Sequence, residues 1–532
     1  MLKRSGTWLI SCLLLGHLAL GCGQSQVPPD NRAPTEPPTV AKSRKPDRPR
    51  AVQPQTKHTG RTTAAESGPP AAEASPSDPE AVNKSSGEPL AAASRLEPRP
   101  KSQPADLRHQ PVDAMAHWVA DLPRMEVDDR RAAAAGIRKL TGRRLTLYTD
   151  LPPAKEIDEL PEVFDQAFPQ WCQYFHVDPA EHADWRLTGF LMKDKTRFQH
   201  AGLLPDDLPP FQNGFARNHE LWLYDQLSDY YRRHLLLHEG THAFMNTILR
   251  ACGPPWYMEG IAELFGTHRW LDGRLTMGYL PENRQEALRW GRIEMIQKAV
   301  AAGRAMGLND VVAYSTSAHR EVEPYAWCWA AATLLDRHPH YRERFRGLYR
   351  NVSKPDFNGQ FFRTIGTDWD RLSEEWQVFV AGLEFGHDVA AAVLDFTPGK
   401  PLPPSGARVS VPAAASWQNT GWRLDGGGTY RLEASGRYQV ADQPQIWWCE
   451  PGGVSIRYYQ GRPLGILLAA VRPDRTRENG PSALLRPTAV GLGTTLTPKE
   501  SGTLYLKIND SAAELHNNAG SLEVEITTQS QN

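Results

Sequence analysis

Apolar and polar residues alternate with a period of two in three short stretches of the first half of the chain. Leu145–Thr149, Trp185–Leu191 and His219–Asp225 therefore read as strands, with an amphipathic helix between the first two, around residues 155–176. From about residue 228 the period becomes helical. It runs through Leu235–Phe244, a second apolar run after Pro255, the segment PENRQEALRWGRIEMIQKAVAAG from Pro281, and PYAWCWAAATLLDRH from Pro324. A small sheet followed by a helical bundle is an α+β arrangement. After the Pro-rich joint TPGKPLPPSGA the period returns to two, and Trp422–Val440 and Ser501–Thr528 alternate between Gly and Asn turns, the pattern of an all-β sandwich.

Composition divides the chain further. Residues 23–108 are Pro, Ala, Ser and charge with almost no aromatics, too little apolar surface to fold, so a long disordered tether is expected there. Ahead of it, Lys3 and Arg4 precede an apolar run too short for a comfortable membrane span, and small residues precede Cys22. This resembles a bacterial lipoprotein signal over residues 1–22. The resemblance implies a lipid on Cys22 and a protein anchored by it to a membrane of the bacterial cell envelope, periplasmic or at the outer surface. The multidomain order is then signal, tether, an α+β unit over 109–396 and a sandwich over 404–530. The 60 Lys and Arg against 61 Asp and Glu give a formal charge of -1, which argues against a nucleic-acid partner.

The helical run at 235–244 carries the chemistry. His238 and His242 lie four apart on one helical face, with Glu239 beside them, in a His-Glu-x-x-His motif. Both imidazoles can reach one zinc ion, and a catalytic zinc takes a third protein ligand while leaving a position open. Glu259 is the best candidate, because the Gly253-Pro254-Pro255 turn lets its apolar helix cross the first. Glu239 is then the general base. Glu263, one turn on, could orient a ligand histidine through its free ring nitrogen or be an ordinary surface carboxylate. His234 is expected in the surroundings or in solvent, since eight residues of helix separate it from His242 by about 12 Å. Gly240 costs helix stability within the motif.

His238-Glu239-Gly240-Thr241-His242 followed by Trp256-Tyr257-Met258-Glu259-Gly260-Ile261-Ala262-Glu263 resembles the gluzincin metallopeptidases, and most closely the small bacterial peptidase-like domains of that clan. The resemblance implies peptide-bond hydrolysis of a peptide or protein substrate, with Glu259 as third ligand. It also implies a tyrosine that stabilises the oxyanion, and Pro324-Tyr325 ahead of a helix assigns that role to Tyr325. No Gly-x-Met-Glu-Asn element of the aminopeptidases is present. Asn213-Gly214-Phe215 could supply a substrate-pairing edge strand instead, and endopeptidase and aminopeptidase both stay open.

In the sandwich, Asp510, Asn517 and Asn518 gather oxygen ligands in one turn region and could hold a calcium ion. Ile508-Asn509-Asp510 with His516-Asn517-Asn518-Ala519-Gly520-Ser521, and Gly428–Gly436 as an early hairpin, resemble the bacterial calcium-dependent galactose-binding lectins. That implies a galactose-type glycan as partner. Glu514 stands where the family has a threonine, and a spacer role is the other reading. Cys172, Cys252, Cys328 and Cys449 show no paired metal spacing and read as mostly structural. The expectation is a zinc metallopeptidase at the cell envelope targeted by a lectin-like domain. The alternative is an inactive glycan-binding protein that uses the peptidase fold as scaffold.

Overall fold

The structure is a computed structural model and describes residues 123–316, 321–474 and 480–529. The signal segment, Cys22 and the tether lie outside the described residues. Among the described residues no helix is long and apolar enough to cross a membrane.

The N-terminal lobe begins with α1 (Asp129–Ala134), β1 (Arg138–Thr141), β2 (Leu145–Thr149), α2 (Lys155–Asp158) and α3 (Leu160–Phe175). It continues through β3 (Leu187–Met192), α4 (Lys195–His200), β4 (Gly214–Arg217) and β5 (Glu220–Tyr224). The strands form one sheet in the order β1-β2-β3-β5-β4. β2, β3 and β5 are parallel, because α3 and then α4 carry the chain back to the same end of the sheet, while β1 and β4 are antiparallel at the two edges. Alternation puts Leu147, Leu191 and Leu221 on the face towards the main helical core and Tyr148, Phe190 and Trp222 on the other. The helix expected over 155–176 is two helices. Pro161, which has no amide hydrogen to donate, opens the second, and Glu159 ends the first.

The bundle follows as α5 (Asp229–Phe244), a π-helical turn (Met245–Leu249), α6 (Pro255–Gly266), a hairpin of β6 (His268–Leu271) and β7 (Arg274–Met277), α7 (Arg292–Ala301), α8 (Leu308–Val312), α9 (Glu323–Arg337), α10 (Arg342–Arg346), α11 (Phe357–Ile365) and α12 (Trp369–Ala381). Two expectations are corrected here. The helical pattern after residue 228 is interrupted by the β6–β7 hairpin, whose Asp272 and Gly273 both have positive φ, as its two-residue turn requires. The helix expected from Pro281 starts only at Arg292, because Arg289 and Gly291 take left-handed conformations that a helix cannot continue through.

The C-terminal lobe is all β. Its strands are β8 (Lys400–Pro401), β9 (Ala407–Pro412), β10 (Gln418–Leu424), β11 (Tyr430–Ser435), β12 (Tyr438–Ala441), β13 (Trp447–Cys449), β14 (Val454–Tyr459), β15 (Arg462–Leu464), β16 (Leu467–Pro473), β17 (Thr488–Ala489), β18 (Gly493–Leu496), β19 (Gly502–Ile508) and β20 (Ser521–Thr528). The two larger sheets, β17-β16-β19-β10-β8 and β18-β11-β20-β9, enclose a core of Leu432, Leu504, Leu506, Leu522, Val524 and Ile526. In β19 the alternate residue, Tyr505, is also buried. It joins Leu468, Leu484, Trp417 and Leu394 in an apolar cluster that Val378 of α12 covers.

That second buried face packs the sandwich onto the N-terminal lobe instead of leaving it on a free joint. Glu374 of α12 accepts hydrogen bonds from Arg472 Nε and Ser482 Oγ, each at 2.8 Å, and Ser511 Oγ donates to Glu384 at 2.9 Å.

Candidate metal centre

The motif helix α5 starts at Ser228, whose hydroxyl accepts the Tyr231 amide at 3.1 Å and so caps an otherwise unpaired donor. From Leu235 the helix is buried on every side. Gly240 explains how: a Cβ there would sit 2.5 Å from Phe164 and 3.0 Å from Trp171, so its absence lets α5 lie directly against α3. Trp171 donates to Thr241 Oγ1 at 3.0 Å, and that hydroxyl donates to the Leu237 carbonyl at 2.7 Å, which fixes the turn between the two motif histidines. After the π-helical turn, Arg250 adopts a left-handed conformation and reverses the chain, and α6 begins with Pro255 in its first turn. Trp256 anchors α6 by donating to Asn358 at 2.8 Å.

This crossing brings three donors together. His238 Nε2 and His242 Nε2 are 3.1 Å apart, and Glu259 Oε2 is 3.3 Å from the first and 3.4 Å from the second. Ligands at about 2.0–2.1 Å from one tetrahedral ion are themselves about 3.3–3.4 Å apart. The triangle therefore matches a single divalent cation, and two imidazoles with one carboxylate are the borderline donor set that such an ion takes. These buried groups could hold a metal ion. His242 Nδ1 has no hydrogen-bond partner among the described residues. His238 Nδ1, in contrast, faces Glu263 Oε1 at 3.5 Å.

Glu263 is no surface carboxylate, being 1% exposed. Arg292, the first residue of α7, grips it with Nε to Oε2 at 3.0 Å and Nη2 to Oε1 at 2.7 Å. Burial works to raise the Glu263 pKa, but Arg292 above all, and then His234 and His238, hold the carboxyl well below the usual range. His234 is not in solvent. It lies buried with Nε2 3.5 Å from Glu263 Oε2, and burial pushes its pKa down. His234, His238 and Glu263 form a second cluster of ligand type, but both oxygens of its carboxylate already meet a guanidinium.

Glu239 is fully buried on α5. Beside it runs β4, the edge of the sheet, at Gly214, where an added Cβ would lie 2.7 Å from Glu239 Oε1. Only glycine permits that approach. Tyr325 lies in the first turn of α9, buried, with its ring 6.1 Å from that of His238 and the Arg292 guanidinium 6.0 Å from its centre. The structure thus gathers His238, His242, Glu259, Glu239, Glu263 and Tyr325 into one buried region. A cavity of about 300 Å³ lies elsewhere, lined by Tyr174, Phe265, Arg337, Arg342 and Arg346.

The sandwich places Asp510 and Asn518 together and Asn517 beside them. Asp510 Oδ1 accepts the Ser511 amide at 2.7 Å and Oδ2 accepts Asn518 Nδ2 at 2.9 Å. The side-chain oxygens of Asn517 and Asn518 are buried without a hydrogen-bond partner among the described residues, which suits a cation supplied from outside. Burial raises the Asp510 pKa. Glu514 points its charge elsewhere, to Arg457 Nη2 at 2.9 and 2.7 Å. Cys172, Cys252, Cys328 and Cys449 are buried free thiols.

Sequence reasoning missed Arg292 and the role of Gly214. An arginine one turn before Ile296 and two before Ala299, on the face that helical spacing buries, was the available signal for the first; nothing local marked the second.

No protein-family model matches the chain, and no curated protein matches it. Among solved structures the chain is similar to one described as "EclA N-terminal domain; PllA-like lectin", with 23% identity, coverage of 23% of this chain and 95% of that chain, and a TM-score of 0.18.

Proposed function

We propose that the N-terminal lobe is a zinc-dependent peptidase, held at the bacterial cell envelope through lipid on Cys22 and targeted by a sandwich that binds calcium and a galactose-type glycan. The observation that carries the hydrolase reading is the triangle of His238, His242 and Glu259, with edges of 3.1, 3.3 and 3.4 Å, and Glu239 on the same helix. Zinc, when bound, supplies a Lewis acid that polarises an acyl oxygen and acidifies water near neutral pH. Glu239 takes the proton of the attacking water and passes it to the leaving amine. Tyr325 donates to the developing oxyanion. β4, at the edge of the sheet among the described residues, lies next to Glu239 and would pair an extended peptide through main-chain hydrogen bonds that fix its direction.

A second reading has its own observation. His238, His242 and Glu259 are at most 2% exposed, as in a closed metal site that stabilises a scaffold. Cleavage of a peptide library by the full chain separates the two. Glu239→Gln should keep the metal and lose about 10²–10⁴-fold in rate. Equal cleavage by that variant contradicts the mechanism, and a metal-loaded wild type that cleaves nothing favours the scaffold.

A further inference from the structure

We infer that Arg292 is a positioning residue of the metal centre, holding Glu263 in the orientation that aims His238 at the ion. The inference rests on the metal-binding reading above and adds a residue that lies outside both motifs.

Three observations carry it. The fork is bidentate and closed off from water, with Arg292 2% and Glu263 1% exposed. Burying two charges costs the hydration of both, so a pair is a poor way merely to fill this space. The carboxylate that Arg292 fixes also touches the metal trio. Oε1 receives Arg292 Nη2 at 2.7 Å and faces His238 Nδ1 at 3.5 Å, while His238 Nε2 points the other way, towards His242 and Glu259. A carboxylate on Nδ1 sets the tautomer in which Nε2 is the free donor atom. Finally, Arg292 comes from α7, which packs on α9, so the same guanidinium stands 6.0 Å from the ring of Tyr325. The residue ties the ligand helices to the helix that carries the candidate oxyanion donor.

Without the fork, Glu263 loses its fixed orientation and stands as a second buried carboxylate near Glu259. The ion then binds to a histidine whose outer carboxylate is no longer fixed. Removing outer partners of metal ligands typically weakens binding about 10–100-fold.

The test uses the full chain with zinc and, separately, cobalt. Zinc affinity is measured by competition with a chromophoric chelator, and the geometry is read from the visible absorption of the cobalt form. Arg292→Met should bind zinc about 10–100-fold more weakly and shift the cobalt bands. Arg292→Lys keeps the charge and the stem but not the fork, and should recover part of the affinity with bands still displaced. The lysine variant also decides the matter where the methionine variant does not fold. Wild-type affinity and an unchanged cobalt spectrum in the folded variants overturn the role of Arg292 alone. A wild type that binds neither zinc nor cobalt overturns the metal-centre reading itself, and this inference with it.

Discussion

The two candidate ion sites, one in each lobe, differ in how far the protein has already assembled them. At the crossing of α5 and α6, two imidazole nitrogens and a carboxylate oxygen converge to within 3.4 Å, and the outer carboxylate is itself gripped by Arg292. In the sandwich loop, Asp510 has turned both oxygens to neighbours, Ser511 and Asn518, and the amide oxygens of Asn517 and Asn518 have no hydrogen-bond partner among the described residues. The first site already holds its three donor atoms near ligand spacing and has the contact between its two imidazole nitrogens to give up. The second has to exchange hydrogen bonds for ligand bonds, which lowers affinity. Preorganisation of this kind, more than the number of candidate ligands, separates a tight site from an optional one.

Acid should break the comparison most strongly, because the N-terminal lobe also carries buried neutral histidines. Burial depresses His268 to about 3 and His387 to about 4. In the unfolded chain both titrate near about 6.5. Below that pH the unfolded state takes up protons that the folded state refuses, so stability falls from about pH 6.5 down to the folded values. For His387 alone the full loss is about 3 kcal/mol. The one histidine of the sandwich, His516, is exposed. Hydrogen exchange at pH 4.5 should therefore show protection lost first in α5, α6 and the 382–389 segment and later in β16, β19 and β20. Simultaneous loss in both lobes would mean that their packed interface, not local titration, sets acid stability.

Much of this arrangement was legible in the chain. The strands β2, β3 and β5 and the helices α5, α6 and α9 follow from periodicity, since their buried faces leave a direct trace in residue order. The candidate ligand set follows from the spacing of His238 and His242 and from Glu259 one helix later. What could not be read depends on contacts between distant segments. Gly240 looked like a weakness of α5 until Phe164 and Trp171 were seen to occupy its space, and Glu263 stood between an orienting carboxylate and a surface one until Arg292 was found against it. The β6–β7 hairpin did carry a local signal in Asp272-Gly273, flanked by the alternating Trp270, Leu275 and Met277, which the surrounding helical pattern obscured. Packing of the sandwich on α12 is written only in the double burial of β19, where Leu504, Tyr505 and Leu506 are all covered.

A smaller effect sharpens the comparison from the other side. Calcium sites of this weaker kind have dissociation constants of about 10⁻⁴–10⁻³ M, so about 1 mM calcium should stabilise the sandwich by only about 0.4–1.4 kcal/mol. Thermal unfolding with and without calcium reads this directly. Asp510→Asn should abolish the calcium increment while leaving the metal content of the N-terminal lobe and any hydrolysis unchanged. A calcium increment that survives the substitution places the ion elsewhere.

The central claim, that α5 and α6 build a metal centre, is tested most directly by elemental analysis of the full chain alongside His242→Ala. The account predicts about one zinc per chain in the wild type and its loss in the variant. A wild type that holds no zinc after reconstitution, or a His242→Ala protein that keeps it, would contradict the account.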